Sequence, residues 1–177
     1  MEDFRQESEG DAMAWWSAMI DNEAIITSGW TEAYETHYTG GYGEYTEGYI
    51  GDAWMTVSYC HSPGVEAYYS GNYTHSTSLM LDHAHFHQVE YTGIINGAAQ
   101  AEGAQLFMDY LLSEEINVNM PENNLMYSVL EGYDLPETDG YRHHADVPDV
   151  VTTMSYEEIN TNMDTWLESW KSATQQS

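Results

Sequence analysis

Basic residues are almost missing from this chain. Arg5, Arg142 and Lys171 stand against thirty acidic residues in 177, a formal net charge of −27. Charged residues make up 19% of the sequence, below the roughly 25% of an average domain, so the imbalance comes mainly from absent cations. A surface of this sign repels phosphate backbones and anionic headgroups, which excludes nucleic acid and membrane surfaces as expected partners. Cationic or neutral small molecules remain. Such a surface also suits a salty medium, where ions screen its self-repulsion. Cys60 is the single cysteine, so neither an intramolecular disulfide nor a Cys-rich metal site is expected. No stretch of roughly 18 apolar residues occurs, so no membrane-spanning helix is expected. Met1-Glu2-Asp3-Phe4-Arg5 is acidic and polar, unlike a signal peptide. Catalytic signatures are lacking too: there is no G-x-S-x-G, no G-x-G-x-x-G and no P-loop. Cys60 adjoins His61, but adjacency in sequence does not put a base in reach of a thiol. The expectation is a protein that is not an enzyme.

What is present points to a folded chain. Hydrophobic residues are 42% and aromatics 14%, with fifteen Tyr and six Trp; disordered acidic tails lack such rings. The length allows one domain, or two small lobes, with a core. Residues 9–21 read as a short amphipathic helix with Asp11 at its N-cap. Residues 24–27, 53–59, 85–91 and 125–130 read as strands from β-branched or alternating runs. His61-Ser62-Pro63-Gly64 should stop the second of these, with a helix starting at Val65. Residues 39–51 hold Gly40, Gly41, Gly43, Gly48 and Gly51 and read as a loop. Residues 98–112 have the clearest helical spacing, with Ala101, Ala104, Phe107, Met108, Leu111 and Leu112 near one face. A short helix should follow Ser113 and end before Pro121, and residues 131–150 should be a surface loop. Ser155-Tyr156-Glu157-Glu158 is a capping-box pattern ahead of a last helix. Strands alternating with helices predict an α/β fold, a sheet with covering helices.

Three sets of residues carry candidate chemistry. His83, His85 and His87 sit at i, i+2 and i+4. On a strand they share one face, a spacing able to hold Zn²⁺ or Cu²⁺, and His75, His143 and His144 are further candidate ligands. A polar strand face is the favoured explanation, since no H-E-x-x-H or cysteine partner sharpens the pattern. Trp30, Trp54 and Tyr59 lie in or beside short strands and turns, and aromatic faces attract flat organic cations. Core packing accounts for most aromatics in most proteins, so composition alone favours packing over a ligand site. Asn72-Tyr73-Thr74 fits a glycosylation sequon, a triplet common by chance.

Blocks in order then resemble the C-terminal half of the periplasmic thiamine-binding protein family of ABC importers. The first is Gly29-Trp30-Thr31-Glu32-Ala33-Tyr34, followed by Thr56-Val57-Ser58-Tyr59 and Ser62-Pro63. The second is His87-Gln88-Val89-Glu90. The third runs from Phe107 to Ser113, then through Met120-Pro121-Glu122-Asn123-Asn124-Leu125-Met126-Tyr127-Ser128-Val129. The closing Trp166-Leu167-Glu168-Ser169-Trp170 also resembles the family's last helix. The resemblance implies a type II periplasmic-binding-protein fold, an incomplete two-lobed chain whose first half is missing. Residues 1–60 would be the end of the second lobe and residues 61–177 the C-terminal part of the first. It implies a solute-binding protein at the periplasmic or extracellular face, gripping thiamine or thiamine phosphate between lobes and serving the membrane subunits of an importer. Exposed sheet edges on such a fragment would favour oligomers. Trp30, Tyr59, Ser62, Asn124 and Tyr127 match ligand-side positions. Two departures stand out: Leu125 replaces a family Trp, and Gly64-Val65 replaces an aromatic after Ser-Pro, with Tyr68 or Tyr69 as nearby substitutes. Each lost stacking face removes roughly 1–3 kcal/mol.

Overall fold

The computed structural model describes residues 2–80, 85–149 and 153–174, with side chains from residue 12 onward. Its elements are α1 (Glu2–Asp21), a π-helical stretch (Glu32–Tyr38), α2 (Ser62–Ser70), α3 (Ala101–Leu111), α4 (Glu114–Asn117), α5 (Met120–Asn124), a 3₁₀ turn (Thr138–Gly140), α6 (Tyr141–His144) and α7 (Tyr156–Thr174). The chain divides into two units, Met1–Ala33 with Thr153–Ser177, and Tyr34–Thr152. The division expected at 60/61 lies inside the second unit.

In the first unit α1 packs on α7. Trp16 meets Trp170 edge to face, with centroids 5.9 Å apart, and the Ser17 hydroxyl donates to the Ala173 carbonyl at 3.3 Å. Helix α1 begins at Glu2, so Asp11 lies inside it rather than at its cap. At α7 the expected cap forms: the Glu158 amide donates to Ser155 Oγ at 3.2 Å, satisfying one of the first-turn amides.

The second unit is built around α2. Every residue from His61 to Ala67 is buried. Pro63 lies in the first turn of α2, where its missing N–H has no helical acceptor to lose, so it starts the helix instead of delaying it to Val65. Gly71 (φ 70°) ends the helix, its amide turned back to the Ala67 carbonyl. Val65 packs with Leu135 and Tyr141, and Tyr68, Leu125 and Ala145 close around them. The approach of α2 to α6 requires glycine at 64: a Cβ there would lie 2.5 Å from the Tyr141 carbonyl oxygen and 2.7 Å from Ala145 Cβ. Arg142 ties the segment before α6, donating from Nε to the Leu135 carbonyl at 2.6 Å and pairing with Glu137 at 3.0 Å. The 131–150 stretch, expected to be irregular, therefore carries the 3₁₀ turn and α6. Pro121 likewise opens α5 instead of barring it.

The structure overturns the expected α/β, type II periplasmic-binding-protein fold. The described residues are helical with essentially no β-strand and no sheet. Stretches 24–27, 53–59, 85–91 and 125–130 form no ladder; Phe86 makes one isolated bridge, and Leu125 is left-handed at φ 57°. Alternation and β-branching give a segment a side that suits a sheet, but a strand exists only by pairing with another. The 53–59 segment lies open instead, with Trp54 90% and Val57 77% exposed.

Candidate functional site

His61 immediately precedes α2 and is buried. Its Nε2–H donates to the carbonyl of Leu125 at 2.5 Å, which fixes the neutral tautomer and leaves Nδ1 as the lone-pair nitrogen. The left-handed backbone at Leu125 follows directly on the end of α5, so the bond holds the 125–127 segment against His61. Burial lowers the imidazole pKa, and the Leu125 bond opposes this only in part. The ring is therefore neutral near pH 7.

Two tyrosines flank it. The Tyr127 ring lies 4.8 Å from His61, centroid to centroid, and the Tyr59 ring 5.6 Å. The Tyr127 hydroxyl donates to the Asp146 carbonyl at 3.1 Å, and burial, with smaller contributions from Cys60, Tyr141 and Asp146, raises its pKa above the usual phenol range. Both rings keep exposed faces, at 43% for Tyr59 and 40% for Tyr127. The Ser58 and Ser62 hydroxyls, adjacent in sequence to Tyr59 and His61, share a hydrogen bond of 2.7 Å. Two partly open, electron-rich rings beside a neutral imidazole can stack on a flat cation. Burial, followed by Asp146, also pushes up the neighbouring Cys60 thiol, so it is not poised as a thiolate nucleophile.

Glu66, one turn further along α2, is 1% exposed. Its carboxylate accepts from the Tyr34 hydroxyl, from Thr74 Oγ1 at 2.6 Å and from Ser76 Oγ at 2.7 Å. Burial and the adjacent Glu66 charge raise the Tyr34 phenol far above its ordinary value. Three hydroxyl dipoles thus solvate a carboxylate withdrawn from water.

Of the residues expected at a ligand site, Tyr59, Ser62, Asn124 and Tyr127 lie in the second unit and Trp30 in the first. Tyr59 and Tyr127 are brought together through His61. Ser62 is buried and bonded to Ser58, and Asn124 is the exposed last residue of α5. His83 lies outside the described residues. His85 and His87 fall in a stretch without regular secondary structure, and among the described residues no group of three His, Cys, Asp or Glu side chains is placed to hold a metal. The sequence reading passed over His61 as an organising residue and Glu66 altogether. A lone acidic residue between Gly64-Val65 and Ala67-Tyr68 was the available signal for Glu66; nothing local announces which side chains reach it. Comparison with family models, curated proteins and solved structures finds no match to this chain.

Proposed function

We propose that this chain is a solute-binding protein for thiamine or a related organic cation, delivering it to the membrane subunits of an importer at the periplasmic or extracellular face. Binding uses aromatic stacking and involves no covalent chemistry. The observation that carries this reading is the seating of Tyr59 and Tyr127, distant in sequence, on the neutral ring of His61 with faces left open. The −27 charge adds a favourable field for a cation, and the ordered sequence blocks supply the choice of thiamine. Thiamine joins a cationic thiazolium to a flat pyrimidine, and both suit such rings.

Calorimetric titration with thiamine tests it. Saturable heat is expected, with affinity reduced about ten-fold in Tyr127→Leu and in Tyr59→Leu, the scale of one stacking contact. Absence of heat, or affinity unchanged in both variants, overturns the assignment.

A further inference from the structure

The 43–47 loop, the last turn of α2 and the residues just after it line an open pocket of about 550 Å³, formed by Gly43, Glu44, Tyr45, Thr46, Glu47, Tyr69, Ser70 and Tyr73. The volume falls within the range of small-molecule sites. None of these residues belongs to the His61 cluster. Three features of the lining point to one ligand chemistry.

The first is aromatic. Tyr45 and Tyr69 stand with centroids 6.5 Å apart and planes tilted by 39°, forming two walls of a corner, and Tyr73 adds a third ring to the lining. Tyr69 is 59% exposed, so a face is open to a ligand. The second is charge. Glu44 and Glu47 are the only charged residues in the lining, and no described cation pairs with either. Behind the wall, Glu35 and Glu66 bear on Tyr45: burial first, then these carboxylates, push its phenol up to about 12, as expected where the local potential is negative. The third is the helix end. Tyr69 and Ser70 belong to the last turn of α2, where the partial negative charge of the terminal carbonyls favours a cation.

Ser70 is already occupied. Ser70 Oγ accepts from the Tyr73 amide at 3.0 Å and donates to the Tyr73 carbonyl, clamping the turn. A small hydrated metal ion would use only the two carboxylates and gain nothing from three rings. An alkylated ammonium uses both, because its charge is spread over methyl groups that rest on ring faces.

We infer that this pocket is a second ligand site, taking a quaternary ammonium group between Tyr45, Tyr69 and Tyr73 with Glu44 and Glu47 supplying the counter-charge.

Choline is the probe, followed by ligand-observed NMR on its N-methyl resonance. Saturable binding is expected, with 3,3-dimethylbutan-1-ol, the uncharged isostere, at least about ten-fold weaker. Tyr69→Leu should weaken choline about ten-fold while Tyr69→Phe retains it, since the ring and not the hydroxyl makes the contact. Glu47→Gln should weaken it a few-fold. Tyr127→Leu should leave choline binding unchanged, so this site stands or falls apart from the thiamine reading. Absence of saturation, equal binding of the uncharged alcohol, or unchanged affinity in Tyr69→Leu overturns the inference. Matching loss in Tyr69→Leu and Tyr69→Phe overturns it too, because the effect would then be structural.

Discussion

Helices α2 and α3 lie in the same unit and reverse each other's expectations. Helix α3 has the best apolar spacing in the chain, yet none of its residues is buried; Leu106 is 71% exposed and Phe107 58%. Helix α2 reads Ser-Pro-Gly-Val-Glu-Ala-Tyr-Tyr-Ser, with a proline, a glycine and an acid in its first five positions, and its first six residues are all buried. Periodicity marks which face of a helix is fit for burial; it does not supply the opposing surface. Helix α2 has that surface in Leu135, Tyr141 and Ala145, reached because Gly64 lets the backbones close. Helix α3 relies on internal hydrogen bonds and on polar pairs such as Gln105 to Asp109 at 3.1 Å, which contribute only tenths of a kcal/mol each.

Substitutions should widen or collapse this contrast. Glu66→Ala should have the largest effect, about 3–5 kcal/mol in urea unfolding, because three hydroxyls lose a shared acceptor in a buried site. A loss below about 1 kcal/mol would mean the network is open to water. Gly64→Ala should cost about 1–3 kcal/mol by forcing α2 off α6, whereas Gly103→Ala on α3, where a Cβ meets nothing within 4 Å, should stabilise by about 0.5–1 kcal/mol through helix propensity.

The His61 effect should be smaller and pH-dependent. Its folded pKa is lowered, so the unfolded chain binds more protons between that value and the ordinary one near 6.5. Its contribution is complete above about 6.5 and is lost as pH falls through the lowered value. Urea titrations from pH 7.5 down to 5 should show a steeper decline for the wild type than for His61→Gln; equal slopes would refute the assignment. Tyr141→Phe should stabilise by up to about 1 kcal/mol, since the Tyr141 hydroxyl is buried without a partner among the described residues. Leu106→Ser on α3 should change stability by less than about 0.5 kcal/mol. A loss above 1 kcal/mol there would show that α3 is covered in solution and end the contrast.

What could be read from the sequence was local. The glycine-rich 39–51 loop, the helix over most of 98–112 and the cap at Ser155 follow from neighbours within a few residues, and the structure contains them. The sheet failed because pairing is a property of two segments, and no feature of 53–59 or 85–91 says whether a partner exists. Proline misled twice, at Pro63 and Pro121, because the same ring that breaks a helix interior is at home in its first turn. Tyr59 was singled out as an aromatic beside a turn, and Tyr127 through the family resemblance. His61 between them was not, because its role depends on a carbonyl 64 residues away.

The close approach at Gly64 bears on how this chain can vary. A map of tolerance to every single substitution would run against hydrophobicity. Trp54, Val57, Ile95 and Leu106, bulky and open to water, would accept most replacements. The smallest residue in α2 would accept almost none, because the space a side chain needs is already filled by the backbone of α6.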